Sequence, residues 1–116
     1  MFPDIIVDVA SATICFLMSC HPVLVGVETP KGEFQLIHYT TTEKVYGGDI
    51  LVFKETETDL YAIHRVIDVP GQQRLSRIKS PHVSQRSMIT AGCVNVEPEV
   101  FEELTKCCYA SKVIVR

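Results

Sequence analysis

Short apolar runs rich in β-branched residues, separated by polar and turn residues, recur along the chain. This pattern predicts a mainly β fold. The runs assigned to strands are residues 23–27, 34–39, 50–53, 61–67 and 111–116. Only a short acidic segment separates residues 50–53 from residues 63–67, so we predict that these two runs pair antiparallel.

Other segments carry weaker signals. A buried strand is predicted over residues 14–18, leading straight into Ser19, and shorter strands are expected around residues 74–79 and 86–91. A short N-terminal helix is predicted over residues 3–10, with Pro3 in its first turn. A C-terminal helix is predicted near residues 98–107, because Val100 and Leu104 recur at helical spacing after an acidic start.

Composition is that of a globular protein, with 47% hydrophobic and 22% charged residues in 116 positions. This length suits one hydrophobic core, and no repeat or linker interrupts it, so residues 1–116 are expected to form a single domain. The net charge of −3 argues against nucleic acid as a partner. A local cluster of basic residues is interpreted as a solvated surface; it comprises Arg74, Arg77, Lys79 and Arg86.

The apolar residues 5–18 suggest an export signal or a membrane span at first sight. The segment is too short to cross a bilayer, and Asp8 interrupts it. No basic residue precedes it, since the first is Lys31, whereas an export signal begins with positive charge. We therefore expect the segment to belong to the core of a cytoplasmic protein with no membrane span of its own.

The five cysteines have no regular spacing and include no C-x-x-C pair. An odd number without a pattern is a poor disulfide framework, and a bridge between the adjacent Cys107 and Cys108 would be strained. The sequence thus predicts reduced, mostly buried thiols. With neither clustered metal ligands nor a glycine-rich phosphate loop, no metal, nucleotide or other cofactor is expected.

The most specific stretch is the predicted hairpin, which reads GDILVF over Gly48 to Phe53 and IHRVI over Ile63 to Ile67. It resembles the GDIVVF…HRVI signature of the S24/S26 serine-peptidase superfamily, and is most similar to the signal peptidases that use histidine as base. The resemblance implies the complex β fold that signal peptidases share with LexA-type repressors. It also implies a peptide or protein substrate.

Residue by residue, the resemblance assigns a catalytic dyad. Ser19 would be the nucleophile and His64 the base, because a serine hydroxyl needs a proton acceptor and a neutral imidazole suits neutral pH. Cys20 and Pro22 follow Ser19 in the family's Ser-Met-x-Pro-x-Leu motif, with the cysteine in the methionine's place. Cys93 falls where the family has an aspartate.

Asp49 and Arg65 are expected to support the cleft, Asp49 at a turn before its strand and Arg65 as the partner of an acid. These residues imply a serine endopeptidase of signal-peptidase type or a self-processing protein. Two alternatives stay open. A non-catalytic relative could use the same cleft to bind a peptide or protein, and Cys20 beside His21 could supply a reactive thiolate.

Overall fold

The computed structural model describes residues 2–116, apart from the side chain at position 45. Within this range nine strands form two sheets. In chain order the strands are β1 (Ile5–Asp8), β2 (Thr13–Phe16), β3 (Ser19–Pro22), β4 (Gly32–Gln35), β5 (Ile37–Tyr39), β6 (Ile50–Glu55), β7 (Leu60–Arg65), β8 (Val94–Val96) and β9 (Lys112–Val115). The predicted mainly β architecture is confirmed.

The two sheets differ in size. The five-stranded sheet has the order β3-β2-β1-β9-β4, and the four-stranded sheet has the order β5-β6-β7-β8. Each sheet contains one parallel pair, β1 with β9 and β7 with β8, and its other neighbours are antiparallel. The chain passes from one sheet to the other at Leu36, which is buried between β4 and β5. The strand expected over residues 34–39 is therefore divided.

Two helices complete the fold, α1 (Arg74–Arg77) and α2 (Pro98–Cys107), with 3₁₀ turns at Lys44–Tyr46 and Val83–Gln85. Helix α2 buries Val100, Phe101 and Leu104 in the main apolar core, to which both sheets contribute. The predicted C-terminal helix, the final strand and the antiparallel pairing of β6 with β7 are confirmed. All three have local signals: helical spacing in α2, and short β-branched apolar runs in the strands.

The predicted N-terminal helix is wrong, because residues 5–8 form strand β1 at the centre of the five-stranded sheet. Ile5 and Val7 are fully buried, while Ile6 and Asp8 are only partly buried. This two-residue alternation is that of a strand, and the β-branched residues favour it. The spacing of the apolar residues Ile5, Ile6 and Val9 fits both the 3.6-residue period of a helix and the two-residue period of a strand.

The strand expected to lead into Ser19 ends sooner. Strand β2 stops at Phe16, and Leu17 and Met18 form a two-residue hairpin turn with positive φ angles of 48° and 66°. Positive φ at both central positions defines the type I′ turn that matches the twist of the flanking strands. Ser19 therefore begins the returning edge strand β3 and is exposed.

The strands predicted around residues 74–79 and 86–91 are also wrong. Residues 74–77 form α1, and residues 86–91 lie in an irregular connection before β8. Arg86 is 5% exposed and fastens this connection to the five-stranded sheet, since its guanidinium donates to the backbone carbonyls of Ser11, Ala12 and Ser80. A charged side chain thus replaces strand pairing as the anchor.

The expectation of reduced cysteines is wrong as well. Cys15 and Cys20 form a disulfide between the facing positions of β2 and β3, and Cys107 is bridged to its neighbour Cys108. Cys93 is the free cysteine of the described range. Among residues 2–116, no helix has the length and apolar character needed to cross a bilayer.

Candidate active site

The parallel pairing of β7 with β8 creates the polar cluster of this fold. In its register His64 faces Asn95, and Ile63 faces Val94. Cys93 immediately precedes β8, two residues before Asn95. Because side chains alternate along extended backbone, Cys93 and Asn95 share a sheet face with His64. The pairing thus collects a thiol, an imidazole and an amide from two distant parts of the chain.

The turn before Cys93 depends on Gly92. Its φ is +133°, and a Cβ atom there would lie 2.5 Å from Cε1 of Tyr61. Any other residue here would have a strained backbone, and its Cβ atom would clash with the Tyr61 ring. The Thr90 hydroxyl closes the turn by accepting from the Gly92 N–H at 3.1 Å and donating to the Cys93 carbonyl at 2.6 Å. The backbone that carries Cys93 therefore has a fixed conformation.

Cys93 lies one residue before the first pair of the parallel β7–β8 ladder. Its Sγ is 3.7 Å from the carbonyl oxygen of Leu60, to which the neutral thiol can donate. Burial raises the pKa of the Cys93 thiol above its ordinary value of 9.0, and this is only partly offset by the Ala62 N–H and the charge of Arg74. At neutral pH the thiol is protonated, so nucleophilic attack needs a base.

His64 is suited to be that base. It is 3% exposed, and its Nδ1 lies 2.8 Å from the carbonyl oxygen of Arg65. Since a carbonyl only accepts, Nδ1 carries the proton and Nε2 has the lone pair. Burial lowers the pKa of His64, and the charge of Arg74 lowers it further against the hydrogen bond to Arg65. The imidazole is therefore neutral at pH 7.

Asn95 and Arg74 orient this imidazole. The Asn95 side-chain amide donates from Nδ2 to His64 Nε2 at 3.2 Å, and its oxygen accepts from Arg74 Nη1 at 3.1 Å. The guanidinium can only donate, so it determines which end of the amide faces the histidine. On the other side, the ring of Tyr46 packs edge-on against His64, with 5.3 Å between centroids.

A cavity of about 280 Å³ opens over this cluster, lined by Tyr46, Tyr61, His64, Arg74, Ala91 and Cys93 among others. A second cavity, of about 420 Å³, shares Tyr46 and Leu60 with it and carries Glu43 and Glu55 on its walls. The two cavities adjoin at these shared residues. Arg74 and the thiol lie at the smaller cavity, and two glutamates lie at the larger one.

The structure does not bring the predicted dyad together. Ser19 and Pro22 lie on β3 at the edge of the five-stranded sheet, whereas His64 is on β7 of the four-stranded sheet. Neither ring nitrogen of His64 bonds to Ser19 among the described residues. Cys20 forms a disulfide with Cys15, so it has no free thiol that could react.

Asp49 and Arg65 form a network behind the site. Arg65 Nη1 donates to Asp49 Oδ1 at 2.7 Å, and its guanidinium lies 4.3 Å from the centre of the Phe101 ring. His38 Nε2 lies 2.6 Å from Asp49 Oδ2. Burial opposes ionisation of Asp49, but the hydrogen bonds from Arg65 and His38 prevail and lower its pKa. Arg65 thus pairs with an acid on the side of β7 opposite to His64.

Sequence reasoning missed the central position of Cys93 and the role of Asn95, and it placed Arg74 on a solvated surface, whereas Arg74 is half-buried at the cavity. A signal for Cys93 was present, since Gly92 precedes it and an apolar strand follows. Five cysteines obscured that signal. Nothing local pointed to these roles, because Asn95 meets His64 only through the register of β7 with β8, and Arg74 on α1 meets Asn95 only in the folded chain.

A free thiol and a neutral histidine that line one cavity of a two-sheet β fold form a candidate site for cysteine-dependent chemistry. No family model matches the chain, and no curated protein matches it by sequence. Solved structures do match its fold. An L,D-transpeptidase from Stackebrandtia nassauensis aligns with a TM-score of 0.65 and 16% identity over 100% of this chain and 56% of its own.

Two further matches agree. L,D-transpeptidase 3 from Mycobacterium tuberculosis, solved with a faropenem-derived adduct, gives a TM-score of 0.65 at 11% identity over 98% of this chain. A cysteine-to-serine mutant of an Enterococcus faecium L,D-transpeptidase gives 0.62 at 17% identity over 100% of it. The chain spans 60% and 50% of their lengths, respectively. The fold is therefore that of L,D-transpeptidase domains.

This fold overturns the resemblance to the S24/S26 peptidases and the serine endopeptidase function that it implied. The GDILVF and IHRVI segments do form a hairpin, β6 with β7, but the same pattern of apolar strands and turn residues occurs in unrelated folds. The part of the motif that should supply the nucleophile lies in the other sheet.

Proposed function

We propose that the chain is a cysteine-dependent acyltransferase that acts on peptides containing an L-residue followed by a D-residue. The observation that carries this is the placement of the neutral His64 on β7 and of Cys93 immediately before the adjacent strand β8, where both line one cavity. The similar structures named L,D-transpeptidase, one with an adduct and one with a cysteine replaced, support this choice of chemistry.

The reaction follows from the protonation states. As the Cys93 sulfur attacks the peptide carbonyl, the thiol proton moves to Nε2 of His64. The Asn95 amide, which donates to Nε2 in the resting site, gives up this hydrogen bond at that step. The C–N bond then breaks, and His64 returns the proton to the leaving amine. The acyl group remains on Cys93 as a thioester. An incoming amine or water attacks the thioester, gives its proton to His64 and releases the product, and the proton returns to the sulfur.

The Arg65 carbonyl has a defined part in these steps. It accepts from Nδ1 at 2.8 Å and so stabilises the imidazolium that forms when Nε2 takes the proton. Burial disfavours that cation in the resting protein, which keeps the base neutral until attack occurs. A base of this kind is ready at neutral pH without an ion pair between thiolate and imidazolium.

Faropenem provides the direct test. Attack of Cys93 on its β-lactam carbonyl would break the ring C–N bond and leave a covalent adduct, measured by intact-protein mass spectrometry. We expect the adduct on the wild-type chain and on Ser19→Ala, and none on Cys93→Ser. An adduct that persists in Cys93→Ser, or a wild-type chain that stays unmodified while iodoacetamide still labels Cys93, would refute the proposal.

The compartment is part of this proposal. Disulfides such as Cys15–Cys20 and Cys107–Cys108 persist mainly in oxidising compartments. They weigh against the cytoplasmic location predicted from the sequence. Thiol titration of the protein isolated from its own compartment without reductant should find Cys93 alone reactive. Five reactive thiols per chain would restore the cytoplasmic prediction.

A further inference from the structure

Arg74 is a cation without an acidic partner in the candidate active site. It is half-buried and lines the cavity that also contains Cys93. Across residues 2–116 the structure records ion pairs for Arg65, Lys79, Lys112 and Arg116, and none for Arg74. Burial also lowers the pKa of its guanidinium, because charge is disfavoured there. A partly desolvated cation of this kind is stabilised by an anion.

The hydrogen bonds of Arg74 leave part of its guanidinium unused. Nε donates to Gln72 Oε1 at 2.7 Å, and Nη1 donates to Asn95 Oδ1 at 3.1 Å. A guanidinium has five N–H groups, so three remain without a partner among the described residues, two of them on Nη2. By contrast, each of the three guanidinium nitrogens of Arg86 donates to a backbone carbonyl.

The shape of the site indicates which anion would fit. The cavity of about 280 Å³ lies just below the usual range of small-molecule sites, about 300–1,000 Å³, so it suits the end of a peptide. A carboxylate matches the planar donors of a guanidinium. Asp59 also lines this cavity but is exposed, with its Oδ2 bound by the Thr58 hydroxyl. Because solvent screens the charge of an exposed group, Asp59 opposes the binding of a carboxylate less than a buried acid would.

We infer that Arg74 is a specificity-determining residue: its unused N–H groups bind the free C-terminal carboxylate of the peptide, so that Cys93 acts next to a chain end. The inference rests on the proposed function, since it takes Cys93 as the reacting group. The residue after the scissile bond then leaves as a free amino acid. An internal peptide bond, or a chain end blocked as an amide, would lose this contact.

The test measures binding, so it does not depend on turnover. On Cys93→Ala protein, dissociation constants are measured by NMR titration for N-acetyl-L-alanyl-D-alanine and for the same peptide with a C-terminal amide. A charge-assisted hydrogen bond is worth about 1.5–3 kcal/mol, so we expect the acid to bind about 10- to 150-fold more tightly. Adding Arg74→Gln should bring this ratio close to one, and Arg74→Lys should retain part of it.

Arg77→Gln is the matched control, because Arg77 is on the same helix but outside this cavity, and it should keep the wild-type ratio. A general disturbance of the site would weaken both peptides alike and leave the ratio unchanged. Equal affinity for acid and amide, no measurable binding of either, or an unchanged ratio in Arg74→Gln would each overturn the inference. None of these results bears on whether Cys93 reacts with faropenem, so the two proposals can fail separately.

Discussion

His64 and Asn95 face each other across the parallel β7–β8 pair, and the Asn95 amide donates to the lone pair of His64 Nε2 at 3.2 Å. With the Arg65 carbonyl on Nδ1, this contact specifies one neutral tautomer of a buried imidazole. The thiol of Cys93 is neutral as well, because burial raises its pKa. The site therefore rests as two neutral groups, which differs from the thiolate–imidazolium pair of many cysteine enzymes.

The neutral resting state predicts the pH dependence of thiol reactivity. Only the thiolate reacts with iodoacetamide, so the alkylation rate of Cys93 should rise with pH and continue to rise beyond pH 9.0, the ordinary thiol value. The rate is measured by mass spectrometry from pH 6 to pH 10 on the disulfide-bonded chain. A rate that is already at its plateau below pH 7 would mean that the site holds a thiolate at rest.

His64 should make stability depend on pH. Its folded pKa lies below the ordinary value of 6.5, so the unfolded chain binds a proton first as the pH falls. The contribution is fully present above pH 6.5 and is lost as the pH falls from there towards the folded pKa. Each unit by which the pKa is lowered corresponds to about 1.4 kcal/mol. Urea unfolding at pH 7.5 and pH 5 should show this loss.

The comparison variants for that measurement are His64→Gln and His82→Gln. Replacing His64 removes the titrating group and should reduce the difference between the two pH values. His82 is exposed, so its replacement should leave the difference unchanged. If His64→Gln loses as much stability as the wild type on acidification, other groups cause the effect.

Gly92→Ala should both destabilise the chain and impair Cys93. The new Cβ would meet the Tyr61 ring at 2.5 Å on backbone with positive φ. Strain of this kind costs about 1–3 kcal/mol, and the alkylation of Cys93 should slow because its support shifts. Gly71→Ala separates the two causes, since Gly71 has a φ of +83° but nothing within 4 Å of the added Cβ. Equal losses in the two variants would show that the Tyr61 contact does not matter.

The Cys15–Cys20 disulfide should contribute to stability and not to chemistry. It closes a short loop, with a sequence separation of 5, and a bridge of this length is worth about 2 kcal/mol in the chain-entropy model. The double variant Cys15→Ser, Cys20→Ser should lose about that amount in urea unfolding and still form the faropenem adduct. Loss of the adduct in a folded double variant would mean that this hairpin takes part in the site.

Some elements could be predicted because their signals are local. The β6–β7 hairpin follows from two apolar runs joined by a short acidic segment, and α2 follows from the helical spacing of Val100 and Leu104. Residues 5–8 were ambiguous, because a short apolar run fits either period and only its place at the centre of a sheet decides for the strand. Ser19 was misplaced because the turn at Leu17 and Met18 lacks the glycine or asparagine that signals a type I′ turn.

By itself the sequence determined a mainly β chain, the hairpin that carries His64 and the terminal helix and strand that cover the core. Only the tertiary structure decided which residues His64 meets. Cys93 and Asn95 reach it through a parallel pairing that follows a long connection, which contains α1 and is fastened by Arg86. The register of such a pair depends on packing across the whole fold, and no local pattern encodes it. For that reason the histidine could be singled out from its strand, whereas its partner could not.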